Sequence, residues 1–141
     1  MEIEDAIIFA AECHRGVVDQ AGRPYIFHPL RVAMALADPR ERLAAILHDV
    51  VEDAGVTVEE LQHEGLDDDV AEAIDALTKR EGEDYPSFIE RVARNPMARA
   101  VKIADIRDNL DGSRLGLLPF AVRRRLRGKY EPALRRLLER H

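Results

Sequence analysis

Four ionisable side chains interrupt the most apolar stretch of the chain, where Leu43-Ala44-Ala45-Ile46-Leu47 runs straight into His48-Asp49-Val50-Val51-Glu52-Asp53. On a helix, His48 and Glu52 lie one turn apart, as do Asp49 and Asp53, and successive residues differ by about 100°, so the four form one contiguous polar patch. Three carboxylates on two turns repel one another, and placing them among leucine and isoleucine is costly unless something compensates. A divalent cation is the simplest partner, since neutral imidazole together with carboxylate suits Mn, Fe, Zn or Ni. A hydrated helix end is the alternative reading of this segment alone. Asp105 adds a second clue: it follows Ala100-Val101-Lys102-Ile103-Ala104 and would otherwise stand alone at the edge of a buried helix face. His28, directly before Pro29, is by itself an entrance residue of a helix.

Such residues need helices to hold them, and the punctuation of the chain supplies a string of them. A proline or an Asp, Asn or Thr cap repeatedly precedes an apolar pattern of helical period, while strand signals are weak throughout. The first helix is expected from about Ile3 to His14, burying Ile7, Ile8, Ala10 and Ala11, with Gly16 ending it. Ala21-Gly22-Arg23-Pro24 has turn chemistry, and His28-Pro29 opens a second helix with proline at its first position. Asp38-Pro39 opens the third, which carries the His48 to Asp53 patch. Thr57 with Glu60 fits a capping box closed by Gly65. Asp67 or Asp68 caps a helix presenting Val70, Ala73, Ile74 and Leu77; Lys79 to Asp84 then reads as a mobile polar connector, flanked by Lys79 and Tyr85, before Pro86 opens another short helix. Asn95-Pro96 caps a helix carrying Met97, Val101, Ile103 and Asp105, and Pro119 and Pro132 start the last two. The fold class is all-α, one domain over residues 1–141, because no repeat, Gly/Ser-rich linker or low-complexity tract offers a boundary.

Composition narrows the chemistry. Apolar residues are 46% and charged residues 34% of the chain, values of neither a disordered nor a membrane protein. No apolar run approaches the roughly 18 residues that span a bilayer, and the start Met1-Glu2-Ile3-Glu4 lacks a signal peptide's basic region, so a cytoplasmic location without a membrane partner is expected. Cys13 is the only cysteine, which excludes an internal disulfide and a cysteine zinc cage; it reads as a small core residue. A metal would have to use His and carboxylates. The net charge of −6 argues against a nucleic-acid partner. The charge is uneven, however: residues 49–84 are acidic, and 121–140 carry Arg123, Arg124, Arg125, Arg127, Lys129, Arg135 and Arg136, either a solvated face or a wall that attracts an anionic substrate. His14 and His63 are expected to face solvent, and His141 to fray.

Three stretches together resemble the HD-domain hydrolases, and within them the hydrolase domain of stringent-response enzymes and the small alarmone hydrolases. They are Gly22-Arg23-Pro24-Tyr25-Ile26-Phe27-His28-Pro29-Leu30, Ile46-Leu47-His48-Asp49-Val50-Val51-Glu52-Asp53, and Val101-Lys102-Ile103-Ala104-Asp105 with Asn109 following, within residues 5–114. The resemblance implies a multi-helix HD fold with His28, His48, Asp49 and Asp105 as metal ligands. It implies manganese as the ion, with Fe, Ni, Zn or Co as alternatives, and Glu52 and Asp53 as the catalytic pair. One of these two would orient or deprotonate the water that attacks phosphorus, and the other would handle the leaving-group proton. The bond cleaved in the resembled family joins a pyrophosphate to the ribose 3′ oxygen of guanosine tetra- or pentaphosphate. A phosphorylated nucleotide is therefore the implied partner, with GDP or GTP and pyrophosphate as products.

The chain departs from that family in places. Asp19 and Gln20 stand where a basic pair usually precedes the Gly-x-Pro-Tyr turn, and Ile106 replaces an arginine after the metal-binding Asp. Asn109 keeps its position as a candidate substrate contact. Arg23, Lys102 and Arg107 are candidates to supply the missing positive charge. Tyr25 is either a platform for a base or a core residue, and Ser113 with Arg114 is either a phosphate site or a surface loop. The sequence supports an alarmone pyrophosphohydrolase first. Asp19 and Gln20 favour a second reading, the same centre acting on another nucleotide phosphomonoester or diester. A third is a metal-loaded sensing or partner-binding module, against which stands the retention of both Glu52 and Asp53. A homodimer is compatible with the sequence, although no residue requires one.

Overall fold

Seven successive residues, Ala44 to Val50, are buried in one helix, α3 (Pro39–Ala54). A helix enclosed on every side in this way must be the central element of the fold. Asp38 caps it by accepting from the Arg40 amide, Pro39 occupies the first turn, and Gly55 ends it at φ 69°, a left-handed conformation that glycine adopts without penalty. The computed structural model describes residues 1–139, and among these the regular elements are all helical apart from one isolated bridge between Val18 and Pro24. His141 lies outside the described residues.

Four helices pack on α3: α1 (Ile3–Cys13), α2 (Phe27–Met34), α5 (Asp68–Ala76) and α7 (Pro96–Asn109). The short α4 (Val58–His63) lies on α5, and α6 (Tyr85–Ala93) packs on both α7 and α9 (Phe120–Leu138), with α8 (Gly112–Leu115) between α7 and α9 in the chain. Val32, Ile46, Leu47, Leu61, Val70, Ile74, Val101, Ile106 and Leu137 are fully buried at the joints between these elements. The helical pattern of the sequence accounts for this arrangement: Asp84 and Asn95 cap α6 and α7 through their side chains, each followed by a proline in the first turn. No helix among the described residues is long and apolar enough to cross a membrane.

Several details differ from expectation. In α1 the buried residues are Ala6 and Ala10, one turn apart, whereas Ile8 is exposed. Helix α2 begins at Phe27, so Pro29 is its third residue, where a missing amide still costs no helical hydrogen bond. Pro132 starts no new helix; it lies inside the continuous α9. Both Pro132 and Gly128, whose carbonyl loses its usual donor, are exposed, so water can take over the lost bond. His14 is buried at the end of α1 with its ring edge-on to Tyr25 at 5.0 Å, not solvent-facing. Cys13 packs against the core as expected.

Because Leu47 is enclosed on all sides, Leu47→Ala should lower unfolding stability by about 2–5 kcal/mol, seen as a fall in the urea midpoint with an unchanged slope.

Candidate metal centre and cleft

The polar turn of α3 faces α2 and α7. His48 and Asp49 come from α3, His28 from the second position of α2, and Asp105 from α7; all four are buried. His48 Nδ1 lies 3.0 Å from the Ala45 carbonyl, which can only accept, so Nδ1 carries the proton and donates. Its Nε2 then faces Asp49 Oδ1 at 3.1 Å. The His28 ring is held between two carboxylates, with Nε2 at 2.7 Å from Asp105 and Nδ1 at 2.6 Å from Asp108. A neutral imidazole can donate from only one nitrogen, so each ring presents a lone pair to a carboxylate unless a positive charge, proton or metal, lies between them. Tyr25 donates its hydroxyl to the other oxygen of Asp49, and Lys102 donates to the other oxygen of Asp105 at 2.9 Å.

Two imidazoles and two carboxylates, each imidazole oriented by a further acceptor in Ala45 or Asp108, are a chemically suitable donor set for a divalent first-row ion. In this structure the donors pair off, His28 with Asp105 and His48 with Asp49. Among the described residues no three His, Cys, Asp or Glu side chains are drawn into a single cage.

The electrostatics express the same demand for a cation. Burial disfavours the charged form of His28, yet hydrogen bonds to Asp105 and Asp108 outweigh it and push the pKa up to about 10. Burial likewise opposes charge on His48, but the Asp49 carboxylate beside it pushes the pKa up to about 9. Asp49 is pulled down to about 2, where the positive charge of His48 overcomes burial. Asp105 lies well below the usual carboxylate range despite its burial, because Lys102 and His28 both stabilise its charge.

These groups form one end of a cleft of about 640 Å³. Tyr25, His28, Asp49, Glu52, Asp53, Lys102, Asp105 and Asn109 all line it; His48 lies just behind, reaching it through Asp49. Glu52 accepts the backbone N–H of Lys79 at 3.2 Å, which fixes its carboxylate. Burial and the neighbouring charges of Asp49 and Glu52 raise the pKa of Asp53. The connector after α5 is tied down: Arg91 donates to the carbonyls of Ala76 and Thr78 and to both oxygens of Glu83 at 2.8–3.0 Å. The connector, expected to be mobile, is held at four points by that clasp.

Two expected substrate contacts lie elsewhere. Arg23 is exposed and does not line the cleft; its amide is bound to Asp19 within the turn. Arg107 is two residues past Asp105, about 200° around the helix, and therefore lines a separate groove with Leu36, Ala100 and Ile103. Lys102 is in the cleft but is committed to Asp105. Asp19 lines the cleft too, and its carboxylate accepts from the amides of Ala21 and Arg23, which closes the turn. Asp108 escaped the sequence reading. It receives His28 as well as Arg31 at 2.9 Å and Arg114 at 2.5 Å, and its spacing of three from Asp105 on α7 was the available signal. Arg114, considered for phosphate, is thus bound to Asp108.

A family model described as HD domain matches residues 6–111. This chain belongs to the HD domain family. It is 36% identical over 121 residues to a guanosine-3′,5′-bis(diphosphate) 3′-pyrophosphohydrolase of Aquifex aeolicus, covering 77% of this chain and 17% of that one. It is 33% identical over 122 residues to a GTP pyrophosphokinase of Streptomyces coelicolor, covering 77% and 14%. The chain therefore spans less than a fifth of either relative's length. A solved structure titled as a metazoan ortholog of SpoT that hydrolyses ppGpp superposes with a TM-score of 0.73 at 24% identity, covering 96% of this chain and 92% of that one, which shows the shared fold.

The pKa directions set a pH dependence for the metal-free protein. Both histidines titrate higher when folded than the ordinary value of 6.5, so their stabilisation is complete below that pH and is lost as pH rises through about 9 to 10. Asp49 acts in the opposite sense, its contribution vanishing as pH falls from 3.8 through about 2. Melting of chelator-treated protein should therefore fall steadily between pH 7 and 10. Manganese should displace about two protons on binding near pH 7.5, measurable by calorimetry in buffers of different ionisation enthalpy.

Proposed function

We propose that the chain is a divalent-metal-dependent phosphohydrolase of the cytoplasm that removes pyrophosphate from the 3′ oxygen of a guanosine tetra- or pentaphosphate. The observation that carries this reading is the pair of buried histidine–carboxylate couples, each in need of a positive charge that a proton or a metal ion can supply, set beside Glu52 and Asp53 in one cleft. The relatives' names support the substrate class. His28, His48, Asp49 and Asp105 would hold the ion, manganese being the expected one. Once bound, it would polarise a phosphoryl oxygen and lower the pKa of a water near the scissile bond.

The chain's own residues divide the remaining work. Glu52, fixed by the Lys79 amide, orients the attacking water and takes its proton. Asp53, with its raised pKa, holds a proton longer than an ordinary aspartate and suits donation to the departing ribose oxygen. Tyr25 keeps Asp49 from rotating, and Asp108 does the same for His28, its own carboxylate pinned by Arg31 and Arg114.

A second reading, hydrolysis of another phosphorylated nucleotide, is favoured by the acidic Asp19 on the cleft wall. Incubating manganese-loaded protein with guanosine tetraphosphate and a nucleotide panel separates the two. GDP with pyrophosphate supports the first, release from a different nucleotide selects the second, and no turnover with stoichiometric metal rejects both.

Asp49→Ala should abolish turnover together with the manganese-induced rise in melting temperature. Glu52→Gln should keep that rise while kcat falls by about 10²–10⁴, the usual range for losing a general base; full activity in this variant would remove Glu52 from the mechanism.

A further inference from the structure

Two neighbouring donors of the cleft, on α6 and α9, have no acceptor among the described residues. Tyr85, the first residue of α6, lines the cleft with its hydroxyl buried, and among the described residues that hydroxyl has no hydrogen-bond partner. Buried polar groups are nearly always satisfied, so an orphan hydroxyl in a pocket wall marks a place where a ligand atom belongs. Burial pushes the Tyr85 pKa up to about 12, which keeps the proton on and makes the group a donor at neutral pH. Beside it, Lys129 of α9 lines the same cleft, its Nζ 4.7 Å from the Tyr85 ring and 5.2 Å from the Tyr130 ring.

The aromatic faces hold this ammonium in place without neutralising it. Of the other cations of the cleft, Lys102 is paired with Asp105, and Arg31 and Arg114 with Asp108, while Lys79 lines the cleft with its amide on Glu52 and no ion pair among the described residues. Lys129 forms no ion pair among the described residues, and burial together with the charge of Lys102 disfavours its protonation. A buried hydroxyl donor and an unpaired ammonium at the exposed edge of the same cleft, over neighbouring rings, suit an acceptor that is both anionic and rich in oxygens, which is the chemistry of a phosphoryl group.

We propose that the Tyr85 hydroxyl and the Lys129 ammonium form an anion subsite that grips a phosphoryl group of the nucleotide other than the one attacked. The identity of the nucleotide rests on the function proposed above. That group belongs either to the 3′ pyrophosphate or to the 5′ diphosphate. The subsite also restores, from the far end of the chain, positive charge that Asp19 and Gln20 do not provide.

Calorimetric titration with manganese present tests this, using inorganic pyrophosphate for the 3′ end and GDP for the 5′ end. Tyr85→Phe removes one oxygen and no packing; Lys129→Ala removes the charge; Arg127→Ala, exposed on the same helix and outside the cleft, controls for general basicity. Both cleft variants should weaken one probe, Lys129→Ala by about tenfold or more, with Lys129→Arg recovering most of the loss and Arg127→Ala staying within about twofold. Loss on pyrophosphate assigns the 3′ end, and loss on GDP the 5′ end. The subsite is overturned if wild type binds neither probe, if both cleft variants bind both probes like wild type, or if Arg127→Ala weakens binding as much as Lys129→Ala. Turnover of guanosine tetraphosphate is measured in parallel, so pyrophosphate binding through these residues without hydrolysis would reject the function and leave the subsite standing.

Discussion

Each buried imidazole of the centre has an acceptor at both nitrogens, at least one of them a carboxylate, and a neutral ring can donate to only one, so the arrangement is fully satisfied only with a positive charge on or beside the ring. The rest of the molecule is arranged around this requirement. His48 has its other nitrogen committed to Ala45, and His28 has its other nitrogen committed to Asp108, so neither ring can escape by turning over. Asp49 and Asp105 are likewise held on their second oxygens by Tyr25 and Lys102. Seven side chains from four parts of the chain thus hold an arrangement that costs energy wherever the positive charge is withdrawn, the usual condition of a site built to bind or react.

The helical scaffold explains how this cost is tolerated. Helix α3 carries its polar turn in a segment whose neighbours are fully buried, so the residues around His48 and Asp49 have no room to relax. Asp105 and Asp108 are three apart on α7 and therefore point the same way, one toward the centre and the other toward the outer nitrogen of the same histidine. Arg31 and Arg114 close the outer layer, so the carboxylate orienting His28 is itself oriented.

What the sequence revealed follows from how local each signal is. The patch from His48 to Asp53 was legible because ionisable residues in apolar helix are costly, and the all-α architecture because its caps and prolines are local. His28 needed family resemblance, since a histidine before proline has an ordinary structural explanation. Arg107 was placed by its neighbourhood in sequence, yet a helix turns it away from Asp105 within two residues. Arg23 is held by its backbone in a turn that leaves its side chain outside. The burial of His14 against Tyr25, the pairing of Arg114 with Asp108 and the approach of Lys129 to Tyr85 all join residues distant in sequence, and no local pattern encodes them. Pro132 shows the converse, a strong local stop signal overridden because the broken turn faces water.

The clasp made by Arg91 carries a consequence for how a ligand gets in. One guanidinium makes four bonds that span residues 76 to 83, and the same stretch delivers the Lys79 amide to Glu52. That stretch cannot swing aside as a gate without dismantling the anchor of the very carboxylate the reaction uses. Entry and exit are therefore left to other parts of the rim, and the α5–α6 junction serves as a fixed doorpost against which the remainder of the opening is hung.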